Sequence, residues 1–508
     1  MRQTRRQFIQ QSLLAVPAMS ALASCGGGGG GANAASSPQN STSYTLPPQS
    51  NIDLSTGLKA YGTAPVSYSP LVKQPVGVRF KDPDFGTTML RITDIANGLS
   101  GGQYKASVAA PAYPTAQAWN CDESYFILYV TTYNYQSGNT QGWAMFDGKT
   151  YAFIKFLPIN PADIEQFYWD HTQPSTLYYI DNRTDSSGVV MHMVAMNVNT
   201  EAVTVIHDFL PDITKLGWPT TGPVRCGYPY ALGHNAQGQQ IWGLGAGGIA
   251  NIGGQLALNV FGYNQTTGAF ILYNASQVPL AQARGTTPFA LLSGNGWGWP
   301  NPAGAQTPTA VTGVIGPDGT LLRSVGFDAS EHVSTAQNAQ GEDLMVGAQY
   351  SRSTGGNGNM IVANLQTGAV TTLVGEANGY SYPRTGALTG ATAYMNAGWA
   401  VCGITGNPYG NGSATSAPTN TATVLDQEVV LANANTGQVF RLCHHRSTGY
   451  YTSAPVNNYW AQTNVTLSPS GTRILVQSDW GNADPSNPVV NPGAAVDTYV
   501  IELPTYPG

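Results

Sequence analysis

Charge is what this 508-residue chain has least of. Lys, Arg, Asp and Glu together make up 9% of it, against roughly a quarter of an average soluble protein. The 27 acidic residues outnumber the 21 basic ones, for a net charge of −6 at pH 7. That balance argues against nucleic acid as a partner, because phosphate binding needs a basic face. It leaves room for an acidic ligand, since a channel can hold a local arginine cluster. Helical patterning is missing as well: beyond the N-terminus no stretch carries apolar residues at helical spacing between caps. There is no G-x-S-x-G elbow, no H-E-x-x-H and no P-loop. Gly243–Gly254 is glycine-rich but opens no helix, so it is not a phosphate cradle. The five cysteines form no CxxC or zinc-type spacing, which excludes a cage of thiolates.

What the chain has instead is 60 glycines, 27 tyrosines and one repeated turn. Asp84-Phe85-Gly86 leads into Thr87–Ile92, Asp147-Gly148-Lys149 into Thr150–Phe156, and Asn199-Thr200-Glu201 into Ala202–His207. The pattern returns at Thr266-Thr267-Gly268, Pro317-Asp318-Gly319, Gln366-Thr367-Gly368 and Asn435-Thr436-Gly437, each ahead of a β-forming run. Gly, Asn and Asp suit bends that need positive φ or a side-chain-closed turn. A period of roughly 50–70 residues is that of a propeller blade with variable loops. The expected fold is therefore all-β, a seven-bladed β-propeller, with an eighth blade only if Gly285–Ala310 hides one. A second set of turns, among them Asn338–Gly341, Asn235–Gly238, Ser468–Gly471, Cys121–Ser124 and Thr172–Ser175, marks the inner hairpin of each blade. The first outer copy precedes any complete blade, and the strand Val496–Leu503 follows the last. Thr87–Ile92 is thus expected as the outermost strand of the final blade, closing the ring by covering an exposed edge. Cys402 and Cys443 fall in one blade with the strand Glu428–Ala432 between them, so a disulfide is not expected. With Cys121 and Cys226 they read as buried thiols.

The N-terminus reads as an address. Thr4-Arg5-Arg6-Gln7-Phe8-Ile9 resembles a twin-arginine export signal, with Gln10 where a basic residue often follows. The apolar stretch Leu13–Leu22 is broken by Pro17 and too short to span a bilayer. Leu22-Ala23-Ser24-Cys25 resembles a bacterial lipobox, which implies lipidation of Cys25; a plain signal cut elsewhere is the alternative. The organisation expected is a signal peptide over 1–24, a flexible tether over 25–43, an extended segment over 44–76 and one propeller over 77–508. Such a protein belongs in the bacterial cell envelope, as an anchored monomer on the outer rather than the inner membrane.

Candidate site residues follow from the blade register. Propellers place functional groups on the loops around the channel, where each innermost strand begins. His171 and His234 share one register close to the inner turns and read as packing histidines. His332 stands at the other end of its strand. In corresponding places stand Gln166, Tyr228 beside Pro229, and Gln462 beside Trp460. Stacking faces and hydrogen-bonding tips around a channel suit a glycan; a plug of satisfied polar groups is the plain alternative. Arg225 and Arg384 precede inner strands, and each can hold a carboxylate bidentately or serve a structural ion pair. His444-His445-Arg446 follows an outer strand, where adjacent histidines face opposite ways, so at most one can serve a site. Asp82 and Asp84 around Pro83 look structural, not like a glycosidase pair.

Two stretches carry a family resemblance. Tyr459–Gly481, with Gln462, Asn464 and Ser468-Pro469-Ser470-Gly471, resembles the last blade of propellers related to oligogalacturonate lyases. So does the Asp82–Asp94 opening, with Phe85-Gly86 and Arg91-Ile92-Thr93-Asp94. The resemblance implies β-elimination of acidic oligosaccharides at a divalent metal held by histidines and a glutamine. Gln462 and His332 would be such ligands, Tyr228 a proton donor, and Arg225 or Arg384 the partner of the uronate carboxylate. His332 could instead act as the base. Asn464 stands where the related blades have a histidine. Two readings follow: a membrane-anchored propeller binding glycan or an envelope protein through its channel, and a polysaccharide lyase-like enzyme.

Overall fold

The computed structural model describes residues 49–132, 142–161, 164–181, 184–185, 188–220, 225–226, 232–234, 239–252, 255–273, 284–285, 288–301, 311–326, 333–349, 359–380, 387–390, 392–405, 424–447, 459–480 and 495–508. These form seven antiparallel sheets arranged as the blades of a propeller, and a separate two-stranded pairing of Thr184–Asp185 with Gly188–Val189. Blade 1 is Val108–Ala110, Tyr125–Thr131, Gly142–Asp147 and Phe153–Leu157, from axis to rim. Blade 2 runs from Phe167–Trp169 to Val203–Asp208, and blade 3 from Arg225–Cys226 and Leu232–His234 to Ala269–Ile271. Blade 4 runs from Phe289–Ala290 to Leu321–Val325, blade 5 from Val333–Gln337 to Val370–Val374, and blade 6 from Ala387–Thr389 to Val439–His444. The stretch Gly285–Ala310 holds the two inner strands of blade 4, Phe289–Ala290 and Trp297–Asn301, and not an eighth blade. Among the described residues, helix is limited to Leu210–Lys215 and a few single turns. None of the described helices is long and apolar enough to cross a membrane.

Blade 7 takes strands from both ends of the chain. Val465–Leu467, Arg473–Ser478 and Asp497–Glu502 are followed by Thr88–Arg91, which pairs antiparallel with Asp497–Glu502. The expectation that this N-terminal strand is outermost needs correcting: Arg79–Lys81 lies outside it as a fifth strand. The turn after Asp82 folds the chain back as a hairpin, and Arg79 Nε and Nη2 donate to both carboxylate oxygens of Glu502 at 2.7 and 2.9 Å. Blade 7 then meets blade 1 through a parallel bridge between Val108 and Val496, with Ala109 N–H donating to Val496 O at 2.9 Å.

The repeated turn has one mechanism. Its first residue is an Asn or Asp at the end of the third strand, whose side-chain oxygen accepts two backbone N–H groups. Asn364 Oδ1 takes the N–H groups of Gln366 and Thr367 at 2.9 and 2.8 Å, and Gly368 closes the bend at φ +79°. Asn197, Asn264, Asn433 and Asp147 do the same in their blades, and Asp82 does so after Arg79–Lys81, the fifth strand of blade 7. Blade 4 departs from this with a turn closed by Asp318 Oδ1 on Thr320 N–H.

Burial follows the ring. Seven apolar clusters each fill one gap between successive blades, such as Phe289, Val314, Val333 and Met345 between blades 4 and 5. Cys402 sits in the second strand of blade 6 and Cys443 in the fourth; both are buried free thiols, as is Cys121.

Candidate functional site

Each innermost strand ends in its inner turn, so the inner turns of all blades gather at one end of the axis. Four of them meet there. Cys121 in blade 1, Leu292 in blade 4 and Tyr394 in blade 6 pack together in one buried cluster with Met395 beside it. His171 of blade 2 stacks on Tyr394 with ring centroids 4.4 Å apart. Side chains from opposite sides of the ring can meet only across the axis, so this end is a closed floor. Burial lowers the His171 pKa to about 4 and pushes the Cys121 thiol up to about 12.

The axis is narrowed further by the chain itself. The innermost strand of blade 1 pairs over Val108–Ala110, breaks, and resumes at Trp119 opposite Phe126. Residues 111–117 loop out between, yet every residue from Val108 to Cys121 is buried. A buried loop must find partners for its backbone polar groups. Asn464 Nδ2 donates to Pro111 O at 3.4 Å and Thr466 Oγ1 to Pro114 O at 3.3 Å. Gln117 Nε2 donates to Leu467 O and Thr392 O. The loop is thereby bound to the inner strands of blades 6 and 7.

The opposite end, where innermost strands begin, is the mouth. Here the lead-in to blade 7 is held from behind. Gln477 Nε2 donates to the carbonyls of Trp460 and Gln462 at 2.6 and 2.5 Å, and Ser447 Oγ to Ala461 O at 2.5 Å. His445 Nδ1 accepts from Ser447 N–H at 3.0 Å, so its Nε2 carries the proton and donates to Ile404 O at 2.8 Å. Thr463 Oγ1 lies 3.0 Å from the same Nδ1. Burial first, then the neighbouring His444 and Arg446, takes the His445 pKa down to about 3. It is a neutral strut.

Of the residues singled out in the sequence, Gln462 is half-buried on this lead-in. Trp460 is buried in the core between blades 1 and 2 and stacks on Tyr129 at 6.0 Å, anchoring the lead-in by packing. Gln166 is buried immediately before the innermost strand of blade 2. Arg225 lies in a strand paired with Gly245, its side chain outside the described residues. His332, Tyr228, Arg384 and Cys25 also lie outside the described residues. Of the adjacent histidines, His445 points inward and His444 outward, where its Nδ1 lies 3.0 Å from Asp84 Oδ2.

A metal ligand set can be tested against these positions. Asn464 is wholly buried, its Nδ2 on Pro111 and its Oδ1 without a partner among the described residues; Gln477 Oε1 is in the same condition. Neutral amide oxygens stand where an imidazole would be needed, and both nitrogens of His445 are engaged, so the described residues do not fit a histidine-held transition metal. Orphaned buried acceptors instead call for ordered water. The cluster Asp82, Asp84 and His444 has ligand atoms within 4.8 Å of one another. Its cation is already present: Arg446 Nη1 lies 2.6 Å from Asp82 Oδ2 and Nη2 lies 3.6 Å from Asp84 Oδ2, with all four side chains buried. It is a clamp, joining the rim of blade 6 to the hairpin of blade 7. Sequence reasoning placed Asp82 and Asp84 as structural but had no means to find Arg446 as their partner.

No family model matches the sequence, and no curated protein matches it. Among solved structures, an oligogalacturonate lyase from Vibrio parahaemolyticus superposes with a TM-score of 0.49 at 12% identity, covering 86% of this chain and 100% of that one. An oligogalacturonate lyase in complex with manganese gives 0.49 and 12%, over 88% and 99%. A WD40 domain from Neurospora crassa gives 0.39 and 10%, over 79% and 95%. At these identities the chain is similar to them as a propeller fold.

Proposed function

We propose that this protein is an exported, lipid-anchored propeller that binds a glycan at the mouth of its channel without cleaving it. Asn464 carries the reading: an amide committed to Pro111 O occupies the position where the resemblance to the lyases implies a ligating imidazole. The closed floor supports recognition from one end, and amide groups such as that of Gln462 suit hydroxyl-rich ligands. Gln462, held by Gln477, is the contact residue assigned at that mouth, with Tyr228, Arg225, Arg384 and His332 as further contacts. An envelope protein seated on the same mouth is the other partner of this class.

The test is calorimetric titration of the chain lacking its leader with oligosaccharides of pectin, alginate and glycosaminoglycans, run beside an ultraviolet assay for unsaturated product. Binding that survives chelation, without product, is expected. Product formation that requires a divalent metal would establish the lyase alternative and overturn this reading. Palmitate labelling tests the anchor: label that persists in Cys25→Ser refutes it.

A further inference from the structure

The described chain begins at the floor. Ser50 N–H donates to Met395 O at 2.7 Å, Gln49 Nε2 to Tyr394 O, and Asn396 Nδ2 to Ile52 O. Leu54 then packs against the inner turn of blade 7, where a Cβ on Gly471 would fall 2.4 Å from its Cδ1. The last residues reach the same face: Leu503 N–H donates to Thr472 O in that turn, and Gly57 sits against Pro504. Both ends of the described chain, from Gln49 and up to Gly508, therefore border the floor side of blade 7.

Between them lies a cavity of about 450 Å³ lined by three segments, 57–61, 79–88 and 502–508, and by Arg441 of blade 6. Four cations line it in a chain that has 21 basic residues in all. Two are neutralised: Arg79 by Glu502, and Arg441 by Glu428, with Arg441 Nη1 also on the carbonyls of Gly62 and Ala64. Lys59 and Lys81 are different. Both are exposed; Lys59 Nζ lies 4.6 Å over the Tyr61 ring, and Lys81 Nζ donates to Thr88 Oγ1 at 3.1 Å. Neither has a carboxylate partner among the described residues. Tyr61, whose hydroxyl donates to the carbonyls of Asp84 and Phe85, and Tyr506 supply aromatic walls. Two ammonium groups outside any ion pair, flanked by tyrosine and proline, form an interfacial composition in an otherwise acidic protein, with Glu502 and Gly508 also in the lining.

We infer that this cavity binds a phosphate group, held between Lys59 and Lys81, and that the floor side of blade 7 is the face turned to the membrane. The lipid headgroup as source rests on the anchored reading above; a soluble phosphate ester does not. Because the channel mouth is the opposite end of the axis, it then points away from the bilayer.

The test uses the full chain carrying Cys25→Ser, so that no acyl chain masks the effect. Co-sedimentation with phosphatidylglycerol vesicles should exceed that with phosphatidylcholine vesicles, and K59Q/K81Q should reduce it roughly tenfold or more at low salt. Titration with inorganic phosphate is the second arm. Phosphate binding lost in K59Q/K81Q, with no vesicle preference, assigns the site to a soluble phosphate ester. K105Q/K215Q is the charge-matched control, at lysines outside the cavity. An equal loss in that control, or no loss in K59Q/K81Q in either arm, overturns the inference. Melting temperature checks that both double variants remain folded.

Discussion

His171 of blade 2 and Tyr394 of blade 6 stack across the end of the channel, their planes 22° apart. A contact of this kind ties together blades that are not neighbours in the ring, so its loss is felt by the whole circle. Tyr394→Ala should cost about 3–5 kcal/mol, the usual range for removing a buried aromatic. Denaturant unfolding should show a lower midpoint with an unchanged slope.

The two buried histidines fix how stability responds to acid. His171 and His445 are held neutral, with pKa values lowered to about 4 and about 3. The unfolded chain takes up these protons near pH 6.5, and the native one does so only near those lower values. Stability should therefore fall as pH drops from about 6.5 towards 4. His171→Phe should flatten that slope, read from melting temperatures across the range. A profile as steep as that of the parent protein would show that His171 is not the group responsible.

The clamp at the rim makes a sharper claim. Asp82→Ala leaves the buried Arg446 with only the more distant Asp84 carboxylate, 3.6 Å away, and should cost about 3 kcal/mol. Asp82→Ala combined with Arg446→Met should recover part of this, since the guanidinium and its closest carboxylate are then removed together and Asp84 keeps His444 as its partner. Additive losses in this double-mutant cycle would show that the two residues are not coupled.

Two glycines separate backbone strain from collision. Gly268 has φ +71° with open space where a Cβ would stand, so Gly268→Ala should cost about 1–2 kcal/mol from conformation alone. A Cβ on Gly243 would fall 2.3 Å from the backbone of Phe289 in the next blade. Gly243→Ala must push blades 3 and 4 apart and should cost more, or prevent folding, by the same denaturation assay.

At the mouth, Gln477→Ala frees the carbonyls of Trp460 and Gln462 and should loosen the lead-in. Gln462→Ala removes one contact and leaves that frame in place. In the titrations proposed above, both variants should weaken glycan binding, while Gln477→Ala alone should also lower the melting temperature.

Much of the ring was legible because its signal is local. The Asn or Asp that closes each outer turn lies within a few residues of the groups it caps, so turn, strand and blade are written together. The sequence reading missed that the first turn residue is Asn197, Asn264, Asn364 or Asn433, since it centred on the glycines that follow. The five-stranded last blade was half legible: the closing strand was named, but the hairpin outside it depends on Arg79 meeting Glu502, far away in the chain. The loop over 111–117 was not legible at all. Pro111-Ala112-Tyr113-Pro114 reads as an ordinary surface connection, and only donors from Asn464 and Thr466 make its burial tolerable. Candidate channel residues could be ranked by register, but register says nothing of cover. Trp460 therefore sits beneath Tyr129, where an open stacking face was expected.

Blade 7 has a consequence for how the chain comes to be folded. Arg91 and Asp497, bonded at 2.7 Å, are 406 residues apart. Bringing such ends together costs about 5 kcal/mol of chain entropy before any contact repays it. During synthesis Thr88–Arg91 emerges early and waits, an unpaired edge, until Asp497–Glu502 is made. The slowest step should then be joining of the termini. A protein truncated just before the last strand would keep six blades' worth of sequence and still lack a closed circle.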